Sequence, residues 1–480
     1  MSQKGKANKG TERQQEQEDQ DTGIRYVNLY EADEKVYMRR ITGFYQKLRR
    51  YTGLPLILGY LLMPWLVIDG RPAMLFDLPE RRFHILWLSF GPQDGMFLAW
   101  LLIIAAFLLF TVTVLVGRVW CGFTCPQTVW TQMFVWAEFL CEGDRNKRIK
   151  LDAKPWNPEK LGRKTAKHGI WLFIALVTAV TFVGYFVPIR ELLAGLATLS
   201  AHPAAAFWVF FFTTATYMNA GFMREQVCKY MCPYARFQSV MYDQNTFTVT
   251  YNAERGEPRG PRKPNDNKEA LGLGDCIDCS WCVQVCPVDI DIRDGLQYEC
   301  IDCGLCVDAC NAVMDKMHYP RGLISFTSED AIKQGQTKVL RPRFLAYIGV
   351  LLVMIGIFAY ALSERLPVGL DVIRDRGMRM YRISGQEVEN VYTLKINNKD
   401  RATHIYKVSV SGDYDFEVEG YRPFPVEEGE VYTVPVRVAV PRDELNEIKT
   451  SIVIRVQAED HPDIVAEHTT TFIGPQPRSD

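Results

Sequence analysis

Apolar residues gather along the chain into five blocks, 52–68, 96–117, 169–188, 204–223 and 344–362, and none of these holds Lys, Arg, Asp, Glu or His. A helix needs about 20 apolar residues to cross a bilayer. Four blocks meet that length and the first is short, so the pattern predicts about five transmembrane helices, the fifth over 343–363. Residues 128–140 carry Gln132, Glu138 and the tryptophans Trp130 and Trp136. They read as an amphipathic helix lying at the membrane surface. After the last block the period changes from helical to two. Val391 to Asn397, Ile405 to Val410, Tyr414 to Val418, Val431 to Val438 and Ser451 to Val456 alternate apolar with polar, with turn residues such as Ser411-Gly412-Asp413 and Glu427-Glu428-Gly429 between them. Short alternating strands of this kind predict an all-β immunoglobulin-like sandwich over 364–480.

The chain then divides as follows. Residues 1–30, mostly Lys, Glu, Gln, Asp and Gly, form a disordered tail. Residues 31–250 are a membrane domain with the first four helices. Residues 251–342 are a loop that opens with Arg, Gly and Pro and then becomes rich in cysteine. Flanking charge orients these parts. Arg39, Arg40, Lys47, Arg49 and Arg50 precede the first block, basic residues from Arg145 to Lys167 follow the second, and Arg255, Arg259, Arg262 and Lys263 follow the fourth. Connections 69–95 and 189–203 carry few. Positive charge stays inside, so the N-terminus, the 118–168 loop and the 251–342 loop are expected in the cytoplasm and the β-domain outside. A net charge of -1 gives no reason for a nucleic-acid partner. All thirteen cysteines lie at or before Cys310, which keeps every thiol on the reducing side.

Eight of those cysteines form one pattern written twice. Cys276, Cys279, Cys282 and Cys286 are spaced C-x2-C-x2-C-x3-C, and Cys300, Cys303, Cys306 and Cys310 repeat it. This is the ligand run of a two-cluster bacterial ferredoxin, in which the fourth cysteine of each run serves the other cluster. The spacing therefore assigns Cys276, Cys279, Cys282 and Cys310 to one [4Fe–4S] cluster and Cys300, Cys303, Cys306 and Cys286 to the second. A zinc site would use two pairs and leave the other thiols without a role. Asn311 stands where such runs usually have proline, but that position holds no ligand. Two further pairs share the spacing C-x3-C-P: Cys121 with Cys125 after the second block, and Cys228 with Cys232 after the fourth. If these spans pack together, four thiols converge below the membrane surface as a candidate reactive centre. Such a group can bind soft Cu(I), exchange with a disulfide or hold another cofactor. Cys141 has no partner by spacing. No C-x-x-C-H, G-x-G-x-x-G or P-loop occurs, so covalent haem, NAD(P)H and ATP have no motif here.

The stretches Val119-Trp-Cys-Gly-Phe-Thr-Cys-Pro-Gln-Thr-Val-Trp-Thr and Arg224-Glu-Gln-Val-Cys-Lys-Tyr-Met-Cys-Pro-Tyr-Ala-Arg-Phe-Gln, with the basic loop, the double ferredoxin run and the β-domain, resemble the cytochrome c oxidase accessory protein family, the FixG, RdxA or CcoG type. The resemblance covers nearly everything after residue 30. It implies a bacterial inner-membrane protein with its C-terminal domain in the periplasm, needed for assembly of cbb3-type oxidase. It also implies reduction of Cu(II) to Cu(I), with oxidase assembly factors or copper chaperones and a cytoplasmic electron donor as partners. The expectation is a cupric reductase whose clusters pass single electrons to copper near Cys121, Cys125, Cys228 and Cys232. Two other readings stay open: a quinol-linked electron-transfer subunit and a non-catalytic assembly scaffold.

Overall fold

The computed structural model describes residues 36–475 apart from 69, 80, 87, 92–93, 225, 265, 267, 365–366, 375–380 and 401; the tail expected over 1–30 lies outside the described residues. The membrane part contains helices α1 (Phe44–Leu62), α2 (Gly95–Val116), α3 (Val119–Phe123), α4 (Pro126–Cys141), α5 (Arg145–Ala153), α6 (Pro158–Val183), α7 (Ile189–Ala197), α8 (Pro203–Met218) and α9 (Pro233–Met241). A small antiparallel sheet, β1 (Met74–Asp77), β2 (Arg82–Ile85) and β3 (Leu88–Phe90), fills the first connection. The cysteine-rich part contributes β4 (Thr248–Tyr251), α10 (Leu305–Met317) and β5 (Ile324–Thr327), and α11 (Pro342–Ser363) follows it.

Among the described residues three helices, α2, α6 and α11, are long and apolar enough to cross a membrane. Only 6% of the most apolar stretch of α11 is buried, and Leu352, Val353, Ile357 and Tyr360 are exposed. In water that surface would be costly; in lipid it is ordinary. The other two expected spans, α1 and α8, are shorter in their apolar helical part. α1 begins at Phe44, so Lys47, Arg49 and Arg50 fall inside it, and its apolar part stops where a 3-10 turn starts at Met63. α8 has 16 residues, after which the chain widens into a π turn at Asn219–Met223. Apolar composition alone does not reveal where a helix changes its winding. The third expected span also shifts, since its helix starts at Pro158 with Asn157 accepting from the amide of Lys160.

Residues 126–141 are helical, but the surface role expected for Glu138 is wrong. Its carboxylate is 1% exposed, 2.5 Å from Arg148 and 2.7 Å from Arg224. A buried acid with two guanidinium partners is a structural tie between α4, α5 and the segment after α8. Burial pushes the Glu138 pKa up, and Arg224 and Arg148 outweigh that and hold it below the usual carboxylate range.

The C-terminal part is a two-sheet sandwich. One sheet contains β6 (Val368–Arg374), β7 (Arg382–Ser384), β8 (Glu387–Asn398), β10 (Glu417–Glu419) and β12 (Val431–Pro441), and the other β9 (His404–Gly412), β11 (Phe424–Val426), β13 (Lys449–Ala458) and β14 (Val465–Ile473). Alternate residues of β8 and β13, including Tyr392, Leu394, Ile396, Ile452, Ile454 and Val456, are buried in one core. His404 is fully buried there, with Nε2 2.8 Å from Asp400 and Nδ1 2.7 Å from Asp460. Burial lowers its pKa, but Asp400 and Asp460 outweigh this and raise it. The stability it contributes is therefore complete below the unfolded pKa of about 6.5 and is lost as pH rises through the higher folded value. Hydrogen exchange at 404–412 should quicken beyond its intrinsic rate as pH rises above about 6.5, and His404→Gln should remove that dependence. An unchanged pH profile in the variant contradicts this account.

α2 connects the two soluble parts. Asp94 before its first turn lies 3.5 Å from Lys399 of the sandwich, and Glu428 of the sandwich lies 2.9 Å from Arg71. At its other end Gly117 has a φ of 54°, a left-handed turn that suits glycine. A Cβ there would stand 2.6 Å from Asp302 of the cysteine-rich part. The 22 residues between these ends span about 33 Å at 1.5 Å each, close to the hydrocarbon thickness.

Candidate metal centres

The two cysteine runs fold the same way locally. In the first, Asp278 and Ser280 have φ of 51° and 54°; in the second, Asp302 and Gly304 have 49° and 71°. Alternating left-handed residues turn backbone amides inward and make a concavity suited to a negatively charged group. All the cysteines are free thiols. Cys310, at the end of the second run, sits among Cys276, Cys279 and Cys282, and Cys286, from the first run, sits with Cys303 and Cys306. Burial pushes the thiol of Cys282 up to about 11 and those of Cys286 and Cys310 up to about 12. Backbone amides of Val288 and Ile290 beside Cys286, and of Ile324 beside Cys310, favour the charged form. A cavity lined by Cys282, Cys286, Cys300, Cys303 and Cys306 is closed by Val249, Val288, Ile290 and Ile301. Eight soft donors in a dry, amide-rich shell fit two iron–sulfur cubes, whose iron takes the place of the thiol protons. Asn311 is explained as well: its side-chain oxygen accepts from the amide of Gly322 at 3.0 Å.

The second thiol group adjoins the first. α3 carries Cys121 and Gly122, and α4 begins with Pro126 directly after Cys125. α9 begins with Pro233 directly after Cys232. The two motifs are clamped crosswise. Gln127, two residues after Cys125, donates 3.0 Å to the carbonyl of Arg224, four residues before Cys228. Arg118, three residues before Cys121, donates to the carbonyl of Ala235, three residues after Cys232. Cys121 Sγ donates to Gln238 of α9 at 3.4 Å, and Gln238 is fully buried. Burial pushes Cys121 up to about 12, with Cys125, Cys228 and Cys232 adding to it and Arg118 opposing. The structure thus brings Cys121, Cys125, Cys228 and Cys232 together, whereas Cys141 ends α4 beside Glu142 and Lys167.

Several residues that join the two groups carry no motif. Asp302, fully buried, accepts from the amides of Arg118 at 2.9 Å and Val249 at 3.0 Å. Arg118 also donates 3.1 Å to the carbonyl of Cys300. Arg49 donates 3.0 Å to the carbonyl of Gly122 and places its charge beside Cys303 and Cys286. Asp308 of α10 accepts from the amides of Tyr45 and Gln46 at 3.2 and 2.8 Å, satisfying the free N-terminal amides of α1. Gly122 touches the second cysteine run: a Cβ there would lie 2.7 Å from the Ile301 carbonyl oxygen and 2.9 Å from Cys303 Cα. Sequence offered one signal for this, the glycine inside the first C-x3-C-P.

Comparison with known proteins bears on the same regions. Residues 223–329 match a 4Fe-4S dicluster domain, residues 98–149 a 4Fe-4S binding domain, and residues 358–475 an immunoglobulin-like fold described as the C-terminal part of FixG, a putative oxidoreductase. The nitrogen fixation protein FixG of Rhizobium meliloti is 37% identical over 80% of each chain. Protein RdxB of Cereibacter sphaeroides is 39% identical over 92% of this chain and 93% of its own, and protein RdxA of the same organism 39% identical over 80% and 84%. A crystal structure of a FixG-related protein from Vibrio parahaemolyticus is 36% identical, covering 22% of this chain and 95% of that one with a TM-score of 0.21.

Proposed function

The chain belongs to the FixG/RdxA family of iron–sulfur electron-transfer proteins, and on that premise we propose that it reduces Cu(II) to Cu(I) for assembly of a cbb3-type cytochrome c oxidase. The observation that carries this reading is the contact of Gly122 with the loop of Cys303. It brings the backbone between Cys121 and Cys125 against the loop that carries Cys303. Cys276, Cys279, Cys282 and Cys310 would hold one cube, and Cys286, Cys300, Cys303 and Cys306 the other. These clusters supply one-electron transfer. Arg49 lends positive charge beside Cys286 and Cys303 and favours the reduced, more negative state. Electrons from a cytoplasmic donor leave by Cys303 and Gly122. Each Cu(II) takes one electron at the group Cys121, Cys125, Cys228 and Cys232, where soft sulfur favours the Cu(I) product. The protein sits in the inner membrane with five spanning helices, α1 and α8 included, its N-terminus and ferredoxin part in the cytoplasm. Its sandwich domain lies in the periplasm, where oxidase assembly factors or copper chaperones dock.

Titrating the reduced, purified protein with Cu(II) without oxygen tests this. Cluster absorbance should return to the oxidised form as a Cu(I)-selective chelator traps an equal amount of product. Clusters that stay reduced with copper present remove the reductase reading.

A second reading, electron exchange with a membrane quinol, is favoured by one cavity. About 720 Å3 opens between α1 and α4, lined by Gln46, Arg49, Gln132 and Trp136 and reaching Cys228 and Ile301. Quinol added to membranes would reduce the clusters if this reading holds.

A further inference from the structure

We propose that Cys121, Cys125, Cys228 and Cys232 together hold a third [4Fe–4S] cluster, one pair of ligands from each C-x3-C-P motif. This rests on the electron-transfer reading above and changes one part of it: the four thiolates ligate iron rather than copper, so Cu(II) takes its electron from the group they hold and not from free thiolates.

Three observations support it independently of that reading. The two motifs share the build of their second half. In each, the second cysteine directly precedes a proline that opens a helix, with backbone φ and ψ of -57° and 129° at Cys125 and -79° and 109° at Cys232. Sulfur at a helix start meets free amides and the positive end of the dipole, which favours an anionic ligand. The crosswise hydrogen bonds from Gln127 to Arg224 and from Arg118 to Ala235 then fix one motif against the other. Four sulfurs brought together in this way supply the complete donor set of one cube.

The number of thiols matches one cube. Cys125, Cys228 and Cys232 all act electrostatically on Cys121, so the four stand near one another at the count that a single cube needs. Residues 98–149 also match a 4Fe-4S binding domain. Within that range only Cys121, Cys125 and Cys141 are cysteines, so its motif cannot complete a four-thiolate site alone. Cys228 and Cys232 supply the missing pair. A cube held by these four cysteines would extend the one-electron chemistry of the ferredoxin pair toward the membrane face, since Gly122, between Cys121 and Cys125, lies against the Cys303 backbone.

Iron and acid-labile sulfide counted on the full chain, purified without oxygen from membranes, test the proposal directly. The expected content is about twelve irons per chain, four for each cube. The double variant Cys228→Ser with Cys232→Ser should keep about eight, with the spectrum of the ferredoxin pair unchanged. The single variant Cys125→Ser gives a second route: its reduced spectrum should lose one of three cluster signals. A wild-type protein that saturates at about eight irons overturns the proposal, and so does a double variant that keeps about twelve. The wild-type count does not depend on any variant folding. An eight-iron protein that reduces Cu(II) removes the third cluster and leaves the copper reading, whereas a twelve-iron protein that does not reduce Cu(II) does the reverse.

Discussion

Glu138→Ala should destabilise the membrane part by about 3–5 kcal/mol, the cost of leaving buried guanidinium groups without their counter-charge. The carboxylate is 1% exposed and Arg148 is 2% exposed, so water cannot replace it. Arg224 would keep its bond to the Gly221 carbonyl at 2.8 Å and its position against the Trp171 ring. Neither neutralises its charge. Because Arg224 lies four residues before Cys228 and its carbonyl receives Gln127, the damage should reach the second C-x3-C-P motif first. The ferredoxin part has its own core, built on Val285, Leu305, Val313, Met314 and Leu323, and should keep its clusters. Thermal unfolding in detergent, followed at the membrane helices and at the cluster absorbance separately, would show the former falling well before the latter. A variant as stable as the parent would mean that the pairing is incidental.

Gly122→Ala should come next in effect. The added methyl would meet the Ile301 carbonyl at 2.7 Å and Cys303 Cα at 2.9 Å. Both are backbone positions in a loop pinned by Asp302, so neither can step aside as a side-chain end would. Over-packing of this kind costs about 1–3 kcal/mol, and relief requires that α3 and the Cys303 loop separate. The expected result is a protein with intact ferredoxin clusters and markedly slower oxidation by Cu(II). Gly162→Ala, where the new methyl meets nothing within 4 Å beyond its own stretch of helix, serves as the control. Equal rates in both variants would remove the contact from the electron path.

How much of this was legible depends on the kind of constraint. The ferredoxin run was readable because iron–sulfur ligation needs sulfur at fixed short spacing within one loop, and Cys276 to Cys310 satisfy that locally. α2 and α11 were readable because a bilayer demands length and apolarity regardless of neighbours. β8, β9, β12 and β13 were readable from alternation. β7, β11 and β14 leave little trace in the sequence: β7 and β11 are three residues long, and β14 carries three successive threonines whose pattern is weak. The apolar blocks run past the ends of α1 and α8, since apolar composition does not report a change from α to 3-10 or π winding. Glu138 reads from sequence as a surface residue because a charged residue in an amphipathic stretch usually faces water. Its partners Arg148 and Arg224 lie 10 and 86 positions away.

By itself the sequence determined the chemistry available: eight thiols at ferredoxin spacing, two C-x3-C-P pairs, apolar blocks and an alternating C-terminal domain. Each of those follows from rules that act over a few residues. Only the tertiary structure decided that Cys121, Cys125, Cys228 and Cys232 share one place, that Gly122 touches the Cys303 loop, and that α2 carries the sandwich at one end and the ferredoxin part at the other. These relations depend on backbone groups such as the Arg224, Ala235 and Gly122 carbonyls, which every residue possesses, so no pattern of side chains announces them.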